Sequence, residues 1–114
     1  MSTRAIVNFM DDGPLCTAYQ HNDGYPSVFG EALKTAVIAA HGASELGCLA
    51  AQVIAKLKTG PRDFYIIKAG TSDLWEEYTY DVYARDGGWW ITCTGKRKGV
   101  IFDGPAAEFD TTED

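Results

Sequence analysis

Apolar and polar positions along this chain follow two periods, and the change from one to the other divides it. Ala5 to Met10 (Ala-Ile-Val-Asn-Phe-Met) is β-branched and aromatic, and Asp11-Asp12-Gly13-Pro14 supplies turn chemistry. Leu15 to Gln20 then reads as a second short strand, which makes the first two elements a hairpin. Asp23-Gly24 forms a further turn, with the glycine expected to take the positive φ. Tyr25 precedes Pro26 and is pushed to extended geometry, and Ser27 is placed to cap a helix starting at Val28.

Val28 to His41 carries apolar residues at 29, 32, 33, 36, 37 and 40, one face at helical spacing. Gly42 suits a left-handed terminator. Ser44 is expected to restart a helix in which Leu46, Leu49, Ala50, Val53, Ile54 and Leu57 share one stripe, and Thr59-Gly60-Pro61 ends it. Period two returns with Phe64 to Lys68. Glu77 to Tyr83 alternates strictly, Tyr78, Tyr80 and Val82 opposing Glu77, Thr79, Asp81 and Tyr83. Asp86-Gly87-Gly88 signals a hairpin. Beyond it Trp89, Ile91 and Cys93 oppose Trp90, Thr92 and Thr94, and Val100 to Phe102 forms a last strand. The order ββααββββ predicts an α+β fold: an antiparallel sheet of about six strands with two helices on one face. Residues 1–114 are read as one domain, with 106–114 an acidic, frayed tail.

Charge changes this picture. The chain has 114 residues and a net charge of −6. Residues 1–60 hold five acids against four bases, and residues 61–114 hold eleven against six. Such a balance opposes direct binding to a nucleic-acid backbone, where affinity comes from Lys and Arg neutralising phosphates. It suits an acidic surface meeting a basic protein face, or simply a solvated exterior. Three widely spaced cysteines, Cys16, Cys48 and Cys93, fit reduced thiols rather than a disulfide framework. No apolar run approaches a membrane span and no secretory pattern is visible at the N-terminus, so a cytoplasmic protein is expected.

Candidate chemistry gathers in two places. Between His21 and Pro26 an imidazole, a carboxylate and a phenol (His21, Asp23, Tyr25) lie together. They could line a pocket at the first helix's N-terminus, where N–H groups favour an anion. The same residues are more fully accounted for as a turn, a contact over the helix start and a strand end. The second place is the paired strands at 77–94 with the segment before them. There Asp73, Glu76, Glu77 and Asp81 accompany Tyr83, Trp89 and Trp90 in a candidate binding surface, set against simple cross-strand packing. Lys96-Arg97-Lys98 reads as a solvated turn. No metal-ligand spacing, phosphate loop or dinucleotide fingerprint occurs, so neither metal nor cofactor is expected.

Met1-Ser2-Thr3-Arg4 leading into a strand, followed by Tyr19-Gln20-His21-Asn22-Asp23-Gly24-Tyr25-Pro26, resembles a family of small phage and prophage proteins. Their pattern is Met-[Ser/Gly]-Thr-Arg, then Tyr-x-[His/Arg]-x-Asp-Gly-Tyr-Pro. The resemblance carries no catalytic residues. It implies a mobile-element accessory protein in a bacterial cytoplasm. In size and charge the chain is similar to anti-CRISPR proteins, which implies a non-enzymatic inhibitor, monomeric or homodimeric, that binds a host defence protein such as a CRISPR effector component. The alternative is a small-molecule or nucleotide-binding protein, or an enzyme, with its site at His21–Pro26.

Overall fold

The computed structural model describes residues 3–40, 42–58 and 63–112. Six strands form one sheet: β1 (Ala5–Met10), β2 (Pro14–Gln20), β3 (Phe64–Ile67), β4 (Tyr78–Arg85), β5 (Gly88–Gly95) and β6 (Gly99–Pro105). Their spatial order is β3-β2-β1-β4-β5-β6. Helices α1 (Glu31–Ala39) and α2 (Leu46–Leu57) pack together, and the fold is α+β as the periodicity predicts. Leu33, Ala36 and Val37 from α1 and Leu49, Ala50 and Val53 from α2 enter one core with Val7, Phe9, Ala18, Tyr80, Val82, Ile91 and Cys93.

The central joint of the sheet is parallel. β1 pairs β4 in parallel, from Ala5↔Tyr78 to Phe9↔Val82, while every other neighbour is antiparallel. β3 and β4 therefore point the same way, and the chain must cross back from the sheet edge to its middle. Residues 68–77 make that crossing without a helix. They pass over the face away from the helices, where Gly70 N–H donates to Thr17 Oγ1 at 2.9 Å. Ile6, Thr17 and Tyr19, on that same face, are consequently buried. The β4–β6 half of the face remains open.

Other local expectations shift for identifiable reasons. A π-helical turn over Pro26–Gly30 precedes α1, and Tyr25, not Ser27, holds its cap position. The Tyr25 carbonyl accepts from the N–H groups of Val28 and Phe29 at 3.1 and 3.0 Å. Glu45, not Ser44, holds the cap position of α2. Gly42 is left-handed as expected, at φ 63°. His41, the predicted end of the first helix, and Thr59-Gly60-Pro61, the predicted stop of the second, lie outside the described residues.

The expectation of a frayed tail is corrected as far as Thr112. A 3-10 turn at Ala106–Glu108 carries Phe109 into the core, fully buried and stacked on Phe102 with ring centroids 4.9 Å apart. Lys34 Nζ donates to the Phe109 carbonyl at 2.7 Å, and the Thr111 hydroxyl donates to Glu31. One large apolar side chain outweighs the acids around it. Glu113 and Asp114 lie outside the described residues.

Candidate functional site

The His21–Pro26 segment acts as a strap. His21 Nδ1 pairs with the Tyr19 hydroxyl at 2.9 Å, and the Tyr25 hydroxyl donates to Asp23 Oδ1 at 3.5 Å, so His21 and Asp23 form no dyad. Asp23, not Gly24, takes the left-handed conformation, at φ 57°. Gly24 has another task. Its N–H donates to the Thr3 carbonyl and its carbonyl accepts from the buried Tyr80 hydroxyl, each at 2.8 Å. The segment is thereby pinned across the start of β1.

The open part of the sheet carries the polar chemistry. One register row runs Thr17–Asn8–Asp81–Thr92–Asp103 across five strands. Thr17 Oγ1 donates to Asn8 Oδ1 at 2.7 Å, Asn8 Nδ2 to Asp81 Oδ1 at 3.0 Å, and Thr92 Oγ1 to Asp103 Oδ1 at 2.8 Å. The Tyr83 hydroxyl also donates to Asp103. These two hydrogen bonds hold the Asp103 carboxyl below its ordinary range. Burial first, and Asp103 second, hold the Tyr83 phenol above its own.

Asp81 behaves oppositely to Asp103. Burial pushes its carboxyl up, against the Asn8 hydrogen bond that pulls it down. A carboxyl that binds its proton more tightly folded than unfolded contributes stability that is lost as pH rises from the ordinary carboxylate range through the raised value. Asp81→Asn keeps an acceptor for Asn8 and removes that charge. We expect it to raise the melting temperature, with a gain larger at neutral than at acid pH. Parallel thermal melts at the two pH values check this, and an equal gain at both would exclude the burial argument.

The aromatic candidates separate. Trp90 and Tyr83 lie on the open face with ring centroids 6.3 Å apart, but the Arg85 guanidinium sits 4.6 Å from the Trp90 ring centroid and caps it. Trp89 faces the helix side, half-buried, its indole N–H donating to the Ala43 carbonyl at 3.3 Å. The exposed ring is one that the sequence reading passed over. Trp75, in the 68–77 crossing, is 74% exposed and sits at φ 65°, a conformation costly for a bulky side chain. Lys96 Nζ lies 5.6 Å from its ring centroid. Asp73, Glu76 and Glu77 flank it. Glu76 folds back to accept from the Leu74 N–H at 2.7 Å, which fixes the turn that presents the indole. The detectable signal was a lone Trp in an acidic stretch without periodicity, which no core-facing stripe could claim.

At the opposite end of β4 a crevice of about 960 Å³ opens between the carboxyl ends of β1 and β4. Its walls include Asp11 and Asp12 from the β1–β2 turn, Asp81 and Tyr83 from β4, Trp89 from β5, and Glu45 before α2. Among the described residues no group of three or more His, Cys, Asp or Glu is arranged to hold a metal ion. Cys93 is buried and its thiol is pushed up to about 12 by desolvation. No described helix is long and apolar enough to cross a membrane. Comparison with protein-family models, with curated proteins and with solved structures finds no match.

Proposed function

We propose that the chain is a non-enzymatic binding protein that docks its acidic crossing segment and the adjoining open sheet face onto a basic face of a protein partner. The observation that carries this reading is Trp75: a large ring held at positive φ, three-quarters exposed, among Asp73, Glu76 and Glu77. Backbone strain retained at an exposed aromatic marks a presented group, and buried-on-binding Trp residues dominate interface energetics. Around it, Asp73, Glu76 and Glu77, with Thr79 and Thr94 of the adjoining sheet and Lys96 after β5, form a rim. In the setting implied by the phage-family resemblance, the partner is a host defence protein, and the basic face is one that otherwise engages nucleic acid.

Trp75→Ala tests the reading directly. The expected result is unchanged folding with partner capture weakened by about 30-fold, in line with a hot-spot tryptophan. Charge is tested separately by Asp73→Asn combined with Glu77→Lys, since reversing Asp81 or Glu76 would also break internal hydrogen bonds. Capture of one stoichiometric bacterial protein by the wild-type chain, lost with added salt and with Trp75→Ala, supports docking. Absence of any partner at low salt, or capture indifferent to Trp75, removes it.

A further inference from the structure

The crevice beside β1 and β4 begins at Asp81, about 10 Å along β4 from its first residue, and Trp75 precedes that residue, so a contact centred on Trp75, Asp73 and Glu77 leaves the walls of the crevice unused. Its origin is topological. Where two neighbouring parallel strands send the chain to opposite sides, no connection closes the gap between their carboxyl ends, and ligands bind there in open α/β sheets. The same divergence occurs here: β1 turns outward into β2, and β4 turns the other way into β5. The volume is that of a small organic ligand's pocket, many times that of an ion.

We propose that this crevice binds an organic cation, an alkyl guanidinium or ammonium group with an apolar stem. Asp11, Asp12, Glu45 and Asp81 contribute four carboxylates, and no Lys, Arg or His is among the lining residues. They come from three segments and are not grouped to ligate a metal ion, so the charge they attract is a diffuse one. Tyr83 and Trp89 add aromatic surface to its walls, suited to a cation and its methylenes. The N-terminus of α2 borders the crevice, but Glu45 occupies its cap position and offsets the positive end of the helix dipole. Asp81, whose carboxyl burial pushes up, gains a counter-charge when a cation binds.

The indole N–H of Trp89, bonded to Ala43 at the crevice wall, is a built-in reporter, and that of Trp75 is a remote control. Titration of the full chain with N-acetylarginine amide, followed by two-dimensional NMR, is expected to move the Trp89 indole resonance saturably and leave Trp75 in place. The citrulline counterpart, equal in shape and uncharged, is expected to do nothing. Asp12→Asn with Glu45→Gln, both solvent-facing changes, should weaken the arginine amide by about two- to fivefold per carboxylate. Spermidine separates the sources of the same chemistry: tighter binding than the arginine amide assigns the site to a free polyamine, weaker binding to a side chain of another protein. Overturning results are no saturable shift at Trp89 with either cation, Trp75 moving in step with it, or the citrulline compound matching the arginine amide. These read the crevice alone, so a failed docking surface at Trp75 would leave them unchanged.

Discussion

Phe109→Ala lowers the stability of the folded chain by about 3–5 kcal/mol, the usual range for emptying a fully buried phenylalanine site. The ring is wholly buried, stacked on Phe102 and 6.4 Å by centroid from Tyr80, itself the largest fully buried side chain. Its loss leaves a cavity bounded by the rings of Phe102 on β6 and Tyr80 on β4, which cannot collapse without moving those strands. A domain of this length has about 5–15 kcal/mol in total, so the variant sits near the threshold of folding. Urea unfolding should show the midpoint fall with the slope preserved. Thr111→Ala, which removes only the hydroxyl bonded to Glu31, is expected to cost about 1 kcal/mol. A Phe109→Ala cost no larger than that of Thr111→Ala would mean that the terminal segment is an appendage of the core.

The reason this segment reads as solvent is instructive. Ala106 to Thr112 holds one large apolar residue among acids and threonines, too short and too sparse to establish any period. Periodic stretches were legible. The alternation at 77–94 groups Tyr80 with Val82 and Ile91 with Cys93, all four buried, opposite Asp81 and Tyr83 and Trp90 and Thr92, but it leaves open which face is covered. Alternation assigns faces but not neighbours or directions. Nothing in Lys68 to Glu77 announces that β4 lies beside β1 in parallel, because that depends on where the chain goes between elements. Both candidate places follow from this one joint. The crossing it requires carries Trp75, and the divergence of β1 and β4 opens the crevice. The arrangement at Trp90 was equally hidden: the capping Arg85 belongs to the preceding strand and reaches it only through register. Candidate acids were therefore found as types, while the grouping that gives them meaning came from the fold.

Gly24→Ala carries the second large effect, and it tells apart two reasons for a glycine. Were Gly24 there for a left-handed turn, alanine would cost about 1 kcal/mol. Its φ is not positive, and Asp23 makes the turn. The constraint is close approach: a Cβ on residue 24 would stand 2.7 Å from Ala5 Cβ and 2.9 Å from both the Ala5 nitrogen and the Arg4 carbonyl carbon. Two of these three atoms are backbone, and residue 24 is held from both sides by Thr3 and Tyr80. Relief of the clash must lengthen those bonds and strand the buried Tyr80 hydroxyl. Overpacking and the lost hydrogen bond together are expected to cost about 2–5 kcal/mol. Gly87→Ala, at φ 76° with open space around it, serves as the strained but unclashed comparison. Ala5→Gly in the Gly24→Ala background removes the nearest atom and should recover part of the loss, a coupling visible in a double-mutant cycle. Equal costs at Gly24 and Gly87, with no recovery from Ala5→Gly, would mean that the His21–Pro26 segment merely turns there. The expected inequality makes it the strap that holds the start of β1 against Tyr80.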